Sequence, residues 1–218
     1  LFMGLNHLIL WLKEKLESGE ALIGTIDTYL IYRLTGGKTF ATDNTNAHRT
    51  LLYDIGRLRW DEGLCDMFEV PTKAMPDVRE SAERYGETDI KGLLDKPLPI
   101  CGVMGDSQAS LFAQRCFKPG MAKVTFGTGS SVLLNIGGEP RFTEGGAVTT
   151  IAWVYRGEPT YSFEGIINYS AATIAWLKNQ LELIQDFRET EALATAVEDN
   201  GGVYLVPAFA GLSAPYWS

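Results

Sequence analysis

The sequence predicts an α/β chain carrying parts of two domains, and three observations predict it. Up to Phe117, segments with helical spacing alternate with short apolar runs, the pattern of helices packed on a sheet. After Gly120, apolar runs of strand length follow one another at Ala122–Phe126, Val132–Ile136, Val148–Tyr155 and Thr160–Phe163. Between the two patterns, Pro119-Gly120 supplies a break, which sets expected domain limits at 1–117 and 118–218.

Taken in order, Leu5, Leu8, Ile9, Leu12 and Leu16 fall on one face of an amphipathic helix that Ser18-Gly19 stops. Thr25 to Leu34 reads as a second helix, with Thr25 as N-cap, Asp27 in its first turn and Gly36-Gly37 beyond its end. Lys38 to Ala41 reads as a short strand, the polar stretch Asp43 to Thr50 as a loop, and Leu51 to Ile55 as a strand. Asp61 to Phe68 has helical spacing, Pro71 and Pro76 punctuate turns, and Gly92 to Pro99 is a loop into an apolar strand, Ile100 to Met104. Past the second set of strands, Ile174, Leu177, Leu181 and Ile184 mark a helix. Another helix is expected over Phe187 to Glu198, a strand over Val203 to Phe209, and a turn-rich loop over Gly211 to Trp217.

Two polar loops stand where apolar runs stop. Gly105-Asp106-Ser107-Gln108 follows Ile100 to Met104 and precedes a helical stretch, so Asp106 sits at a strand-to-helix junction. A carboxylate there is favoured by the helix dipole and is aimed out of the strand ends, where open α/β sheets bind ligands. Asp is also a favoured N-cap, and on spacing alone both readings of Asp106 stand open. Gly127-Thr128-Gly129 joins two strand-like runs as a hairpin. Its glycines let the backbone approach an anion, although the same residues also make an ordinary turn. Neither loop matches the dinucleotide-binding or Walker-type glycine patterns.

Composition narrows the classes. A 45% hydrophobic content across 218 residues supports a core, and a net charge of −8 excludes nucleic acid and anionic membrane as main partners. No apolar run approaches the roughly 20 residues that span a bilayer. Cys65, Cys101 and Cys116 are odd in number and form no metal spacing with His7 or His48, which points to reduced thiols and a cytoplasmic protein. Structural or surface roles are expected for both histidines.

Gly105-Asp106-x-Gln108-Ala109-x-Leu111-Phe112, followed by Gly120-Met121-Ala122-Lys123-x-Thr125-x-Gly127-Thr128-Gly129, resembles the centre of the FGGY carbohydrate kinases, and among them those acting on glycerol. Three further segments carry the same likeness in the same order: Gly24 to Ile31, Thr42 to Thr50 and Val206 to Trp217. The resemblance implies the actin/hexokinase/Hsp70-like ATPase (ribonuclease H-like) fold. It also implies ATP-dependent phosphorylation of a polyol or sugar hydroxyl, with ATP and Mg²⁺ required. Glycerol is the first expected acceptor and a pentulose such as xylulose the second; a kinase-fold binding protein without activity is the third reading. Expected partners are the small-molecule acceptor, ATP and further copies of the chain.

By the same resemblance, Asp106 is the base that takes the acceptor proton, contacts the acceptor and reaches Mg²⁺ through water. Gly127, Thr128 and Gly129 hold the transferring phosphate. Ala171 and Ala175 match a nucleotide-contacting Gly and Gln of the family, and Ala175 lacks the side-chain amide. Ser107 stands where glycerol-specific members carry an acceptor-binding Gln, and Met3 where they carry a Tyr. Family members are longer, and the likeness places residues 1–218 at their centre, inactive in isolation.

Overall fold

A computed structural model describes residues 12–214, 216 and 217. Met3 and His7 lie outside them, as does the first part of the expected amphipathic helix, whose residues 12–18 are helical.

The first half is a set of short elements. Helix α1 (Ile26–Leu34) leads to strand β1 (Ala41–Asp43), helix α2 (Asn44–Ala47) and a 3-10 turn over His48–Thr50. The β2–β3 hairpin (Tyr53–Asp54 with Arg59–Trp60) and helix α3 (Glu62–Met67) come next. Strand β4 (Asp77–Arg79) runs parallel to β1, and β5 (Gly86–Thr88) pairs antiparallel with β6 (Leu98–Ile100). Helix α4 (Asp106–Ala113) ends this half. The second half opens with strands β7 (Ala122–Phe126), β8 (Ser130–Gly137), β9 (Val148–Tyr155) and β10 (Glu158–Ile167), which form one antiparallel sheet in the order β7-β8-β10-β9. Helices α5 (Ala171–Asn179) and α6 (Glu189–Thr195) follow.

Over β8, β9 and β10 the sheet has buried residues on both faces, since neighbouring residues of a strand point to opposite sides; β7 is mostly exposed. Leu133 of β8 packs with Leu111 of α4, Cys116, Ala152 and Trp153. Its neighbour Leu134 joins the opposite cluster, built on Ile136, Ile151, Val154 and Tyr161 with Ala47 and Tyr53 from the first half. Tyr161 closes that layer by donating its hydroxyl to the Ile55 carbonyl at 2.7 Å. A third cluster, Ile31, Ala41 and Tyr85, seats α1 against β1.

Several expectations are revised. Asp43 to Thr50 is not a loop but a buried helical turn, because its polar side chains satisfy one another. The short strand falls at Ala41–Asp43, three residues later than read. Only the start of the Ile100 to Met104 run is paired, as the end of β6; the rest leads unpaired into α4. Val203 to Phe209 forms no strand and is largely exposed, making a single bridge from Phe209 to Gly211. The helix expected to reach Ile184 stops at Asn179, and α6 is shorter than Phe187 to Glu198.

Leu133 is wholly buried while Val124, one strand away, is half exposed. Leu133→Ala is therefore expected to cost about 2–5 kcal/mol in a urea titration, against about 0.5 kcal/mol or less for Val124→Ala.

Candidate active site

The site begins at a buried carboxylate. Asp43 caps α2, accepting from the Asn46 amide at 3.0 Å, and also accepts from Thr45 Oγ1, Asn46 Nδ2 and Ser81 Oγ at 2.7 to 2.9 Å. Burial raises its carboxyl above the usual range, and the hydrogen bonds from Ser81, Thr45 and Asn46 pull the other way. Thr45 Oγ1 in turn accepts from the Gly105 amide at 2.7 Å. The residue just before α4 is thus tied to a helix 60 positions earlier in the chain. Gly105 also has a steric reason to be glycine, since a Cβ there would stand 2.8 Å from Oε1 of the buried Gln108.

Gly105 is the N-cap of α4, so Asp106 is its first helical residue and not its cap. The capping reading of Asp106 is thereby overturned. Its carboxylate is exposed; Oδ1 accepts from the Ser107 amide at 2.7 Å, and no hydrogen bond from a described residue reaches Oδ2. The helix dipole favours negative charge at this position. Ser107 is partly buried beside it.

The Gly127–Gly129 hairpin is built against the start of α5. Carbonyls of Gly127 and Thr128 accept from the amides of Ser170, Ala171 and Ala172 at 2.9 to 3.1 Å. Ala171 therefore lies on the hairpin, while Ala175 is one turn further along the helix with no polar side-chain atom to offer. Among the described residues, nothing accepts from the amides of Thr128 and Gly129, and the Thr128 side chain is exposed. Two free N–H groups and a hydroxyl fit a phosphate. Gly129 is required by close approach: a Cβ would stand 2.6 Å from the Ile167 carbonyl oxygen, a backbone atom that cannot step aside.

Magnesium keeps several waters and is held by one or two carboxylates together with phosphate oxygens. No cluster of three or more His, Cys, Asp or Glu that could hold a metal occurs among the described residues. The free oxygen of Asp106 is a carboxylate donor of the kind such an ion would take. A separate cavity of about 760 Å³, lined mainly by Met104, Phe112, Phe117, Trp153 and Tyr155, includes neither Asp106 nor the hairpin.

The sequence reading missed one group of residues. Glu164 of β10 pairs with Arg49 of the 3-10 turn, Nη1 to Oε2 at 2.5 Å. Lys123 of β7 is 4% exposed and donates to Thr125 Oγ1 at 2.7 Å. Burial pushes the Lys123 ammonium below the usual lysine range, against the pull of the Glu164 and Asp106 carboxylates; Arg49 adds to the lowering. A lysine in a short strand reads as a solvent-facing residue, and only the sheet register reveals otherwise.

The scaffold is that of known kinases. The Plasmodium falciparum glycerol kinase solved with ADP superposes with a TM-score of 0.85 and 37% identity, over 94% of this chain and 41% of that one. The Brucella ovis xyloylose kinase shares the fold at a TM-score of 0.76 and 22% identity, over 89% of this chain and 40% of that one. The class is therefore the actin/hexokinase-like ATPase fold. Models of the FGGY family of carbohydrate kinases match residues 5–113 (N-terminal domain) and 122–218 (C-terminal domain). The chain belongs to that family. It is 49% identical, over 94% of its length, to the glycerol kinase of Carboxydothermus hydrogenoformans and to glycerol kinase 1 of Thermotoga maritima. It spans 41% and 42% of those two proteins, well under half of either.

His48, beside Arg49, gives a pH signature. Its Nδ1 donates to the Asn44 carbonyl at 3.1 Å, while Nε2 is buried with no partner among the described residues. Burial, then the Arg49 charge, lowers it to about 4, so the folded chain holds it neutral while the unfolded chain protonates it. The resulting stability is complete above the unfolded value near 6.5 and is lost as pH falls towards 4. By pH 5 the loss should be about 2 kcal/mol. Thermal melts of wild type and His48→Gln at pH 8 and pH 5 check this: wild type should lose more stability on acidification than the variant.

Proposed function

We propose that the protein containing this chain phosphorylates glycerol with ATP, as a cytoplasmic enzyme. The observation that carries the reading is the pairing of an exposed carboxylate at the start of α4 with a hairpin whose amides are free for phosphate. Glycerol is favoured as acceptor because the kinases 49% identical to this chain are named for it.

Asp106 takes the acceptor proton at the oxygen left free by the Ser107 amide. A carboxylate favoured by a helix start is a weak base, and that suffices for a loose phosphoryl transition state in which the proton leaves late. The acceptor oxygen then attacks the terminal phosphorus as the bond to the ADP leaving group breaks. Thr128 and Gly129 amides, with the Thr128 hydroxyl, meet the equatorial oxygens, where charge develops. Asp106 would be the residue that holds Mg²⁺, which when bound would supply charge neutralisation at the phosphates. Ala171 brings the α5 backbone against the hairpin, where the nucleotide passes. Domain limits at 1–117 and 118–218 place the Asp106 loop in one domain and the hairpin in the other. A cleft between them excludes water on closure.

Ser107 supports the second reading, a larger acceptor such as a pentulose. A hydroxymethyl side chain reaches less far than the Gln of glycerol-specific relatives and leaves more room beside Asp106.

In the whole protein, Asp106→Asn should lower kcat by about 10²–10⁴ while ADP affinity, read by calorimetry, stays within about twofold of wild type. Wild-type turnover in that variant would reduce Asp106 to a structural helix-start residue.

A further inference from the structure

We propose that Lys123 is a positioning residue for phosphoryl transfer: from a buried seat on the α4 side of β7, in one row with Glu164, it holds the strand that leads into the Gly127–Gly129 hairpin in fixed register. The inference rests on the phosphoryl-transfer reading of Asp106.

Strand register supplies the geometry. Lys123 of β7 and Glu164 of β10 are both paired with Leu133 of β8, so the three side chains lie in one row across adjacent strands and share a face. Leu133 packs on Leu111 of α4, which fixes that face as the one under the helix that Asp106 begins. Lys123 therefore stands on the α4 side of β7, four residues before the hairpin. Its neighbour Val124 is 48% exposed, so the usual inward apolar residue and outward charge are exchanged on this strand.

Such a burial needs compensation. An ammonium removed from water is costly unless it is paired and hydrogen-bonded. Here Thr125 accepts its hydrogen bond, and Glu164, itself 4% exposed, provides the opposite charge from the same row. Arg49 approaches Glu164 from the first half of the chain. The row thus joins the turn after α2 to the strand leading into the hairpin, on the face of the sheet that packs under α4. An apolar side chain of similar length would fill the seat at less cost in desolvation, and stability alone gives no reason for a lysine. A cation hydrogen-bonded to Thr125 supplies direction, which an apolar contact lacks.

The test uses the whole protein and the variants Lys123→Met, Lys123→Arg, Glu164→Gln and the Lys123→Met/Glu164→Gln double variant. Lys123→Met should lower kcat about 100-fold, the scale of a 1 Å misplacement, with KM for acceptor and ATP within about threefold. Lys123→Arg, which keeps the charge, should recover at least tenfold of that loss, on the order of half the lost barrier change. Because Lys123 and Glu164 act through one row, the double variant should be no slower than Lys123→Met alone. Wild-type kcat in Lys123→Met overturns the proposal, as does a Lys123→Arg variant as slow as Lys123→Met. Should circular dichroism find Lys123→Met unfolded, Glu164→Gln decides: a reduced kcat at unchanged KM supports the proposal, and a wild-type kcat overturns it. An active Asp106→Asn would defeat the underlying reading instead, so the two failures are told apart.

Discussion

The structure depends on the buried carboxylate of Asp43. It gathers donors from Thr45 and Asn46 in its own turn and from Ser81, 38 residues further along the chain. A buried charge with any of these donors missing is expensive, so the segments are held together or the turn does not form. Thr45 passes the constraint on: its hydroxyl hydrogen goes to Asp43 and its oxygen accepts the Gly105 amide. Asp106 follows immediately. Asp106 is thus placed by a buried network, and the exposed carboxylate inherits its position from the buried one. Ser81 extends the same frame to the second half of the chain, since its amide donates to the Val154 carbonyl and its own carbonyl accepts from the Val103 amide.

The antiparallel sheet performs the complementary task. One of its faces is an ordinary apolar layer against Ala47 and Tyr53. The other begins as an apolar layer under α4 and becomes polar towards the hairpin, where Lys123, Thr125 and Glu164 replace hydrocarbons. Farther out, α5 is anchored through its first amides to the hairpin carbonyls, and none of its side chains is fully buried. The helix is therefore held at its N-terminal end.

What the sequence discloses follows from which physical signals are local. The hairpin was legible because two apolar runs flank a Gly-Thr-Gly turn, and α1 and α3 were legible from caps and spacing. Asp43 to Thr50 was misread because polarity was taken as exposure. Asp, Thr, Asn and His are buried there by bonding to one another, which no periodicity reports. Val203 to Phe209 failed in the opposite sense: an apolar run makes a strand only where a partner strand meets it. Of the site, Asp106 and Gly127 to Gly129 stood out through motif and family likeness. Lys123 and Glu164 did not, because their relation exists only once both are registered on Leu133. Met3 lies outside the described residues, and its place at the acceptor stays an expectation from likeness.

The measurement that tests the central claim most directly is ADP release by the whole protein, coupled to NADH oxidation, with glycerol, xylulose, ribulose, gluconate and erythritol offered in turn. The account predicts ATP turnover that depends on glycerol and yields glycerol 3-phosphate. Turnover with none of the five, or with a pentulose and not with glycerol, would contradict it.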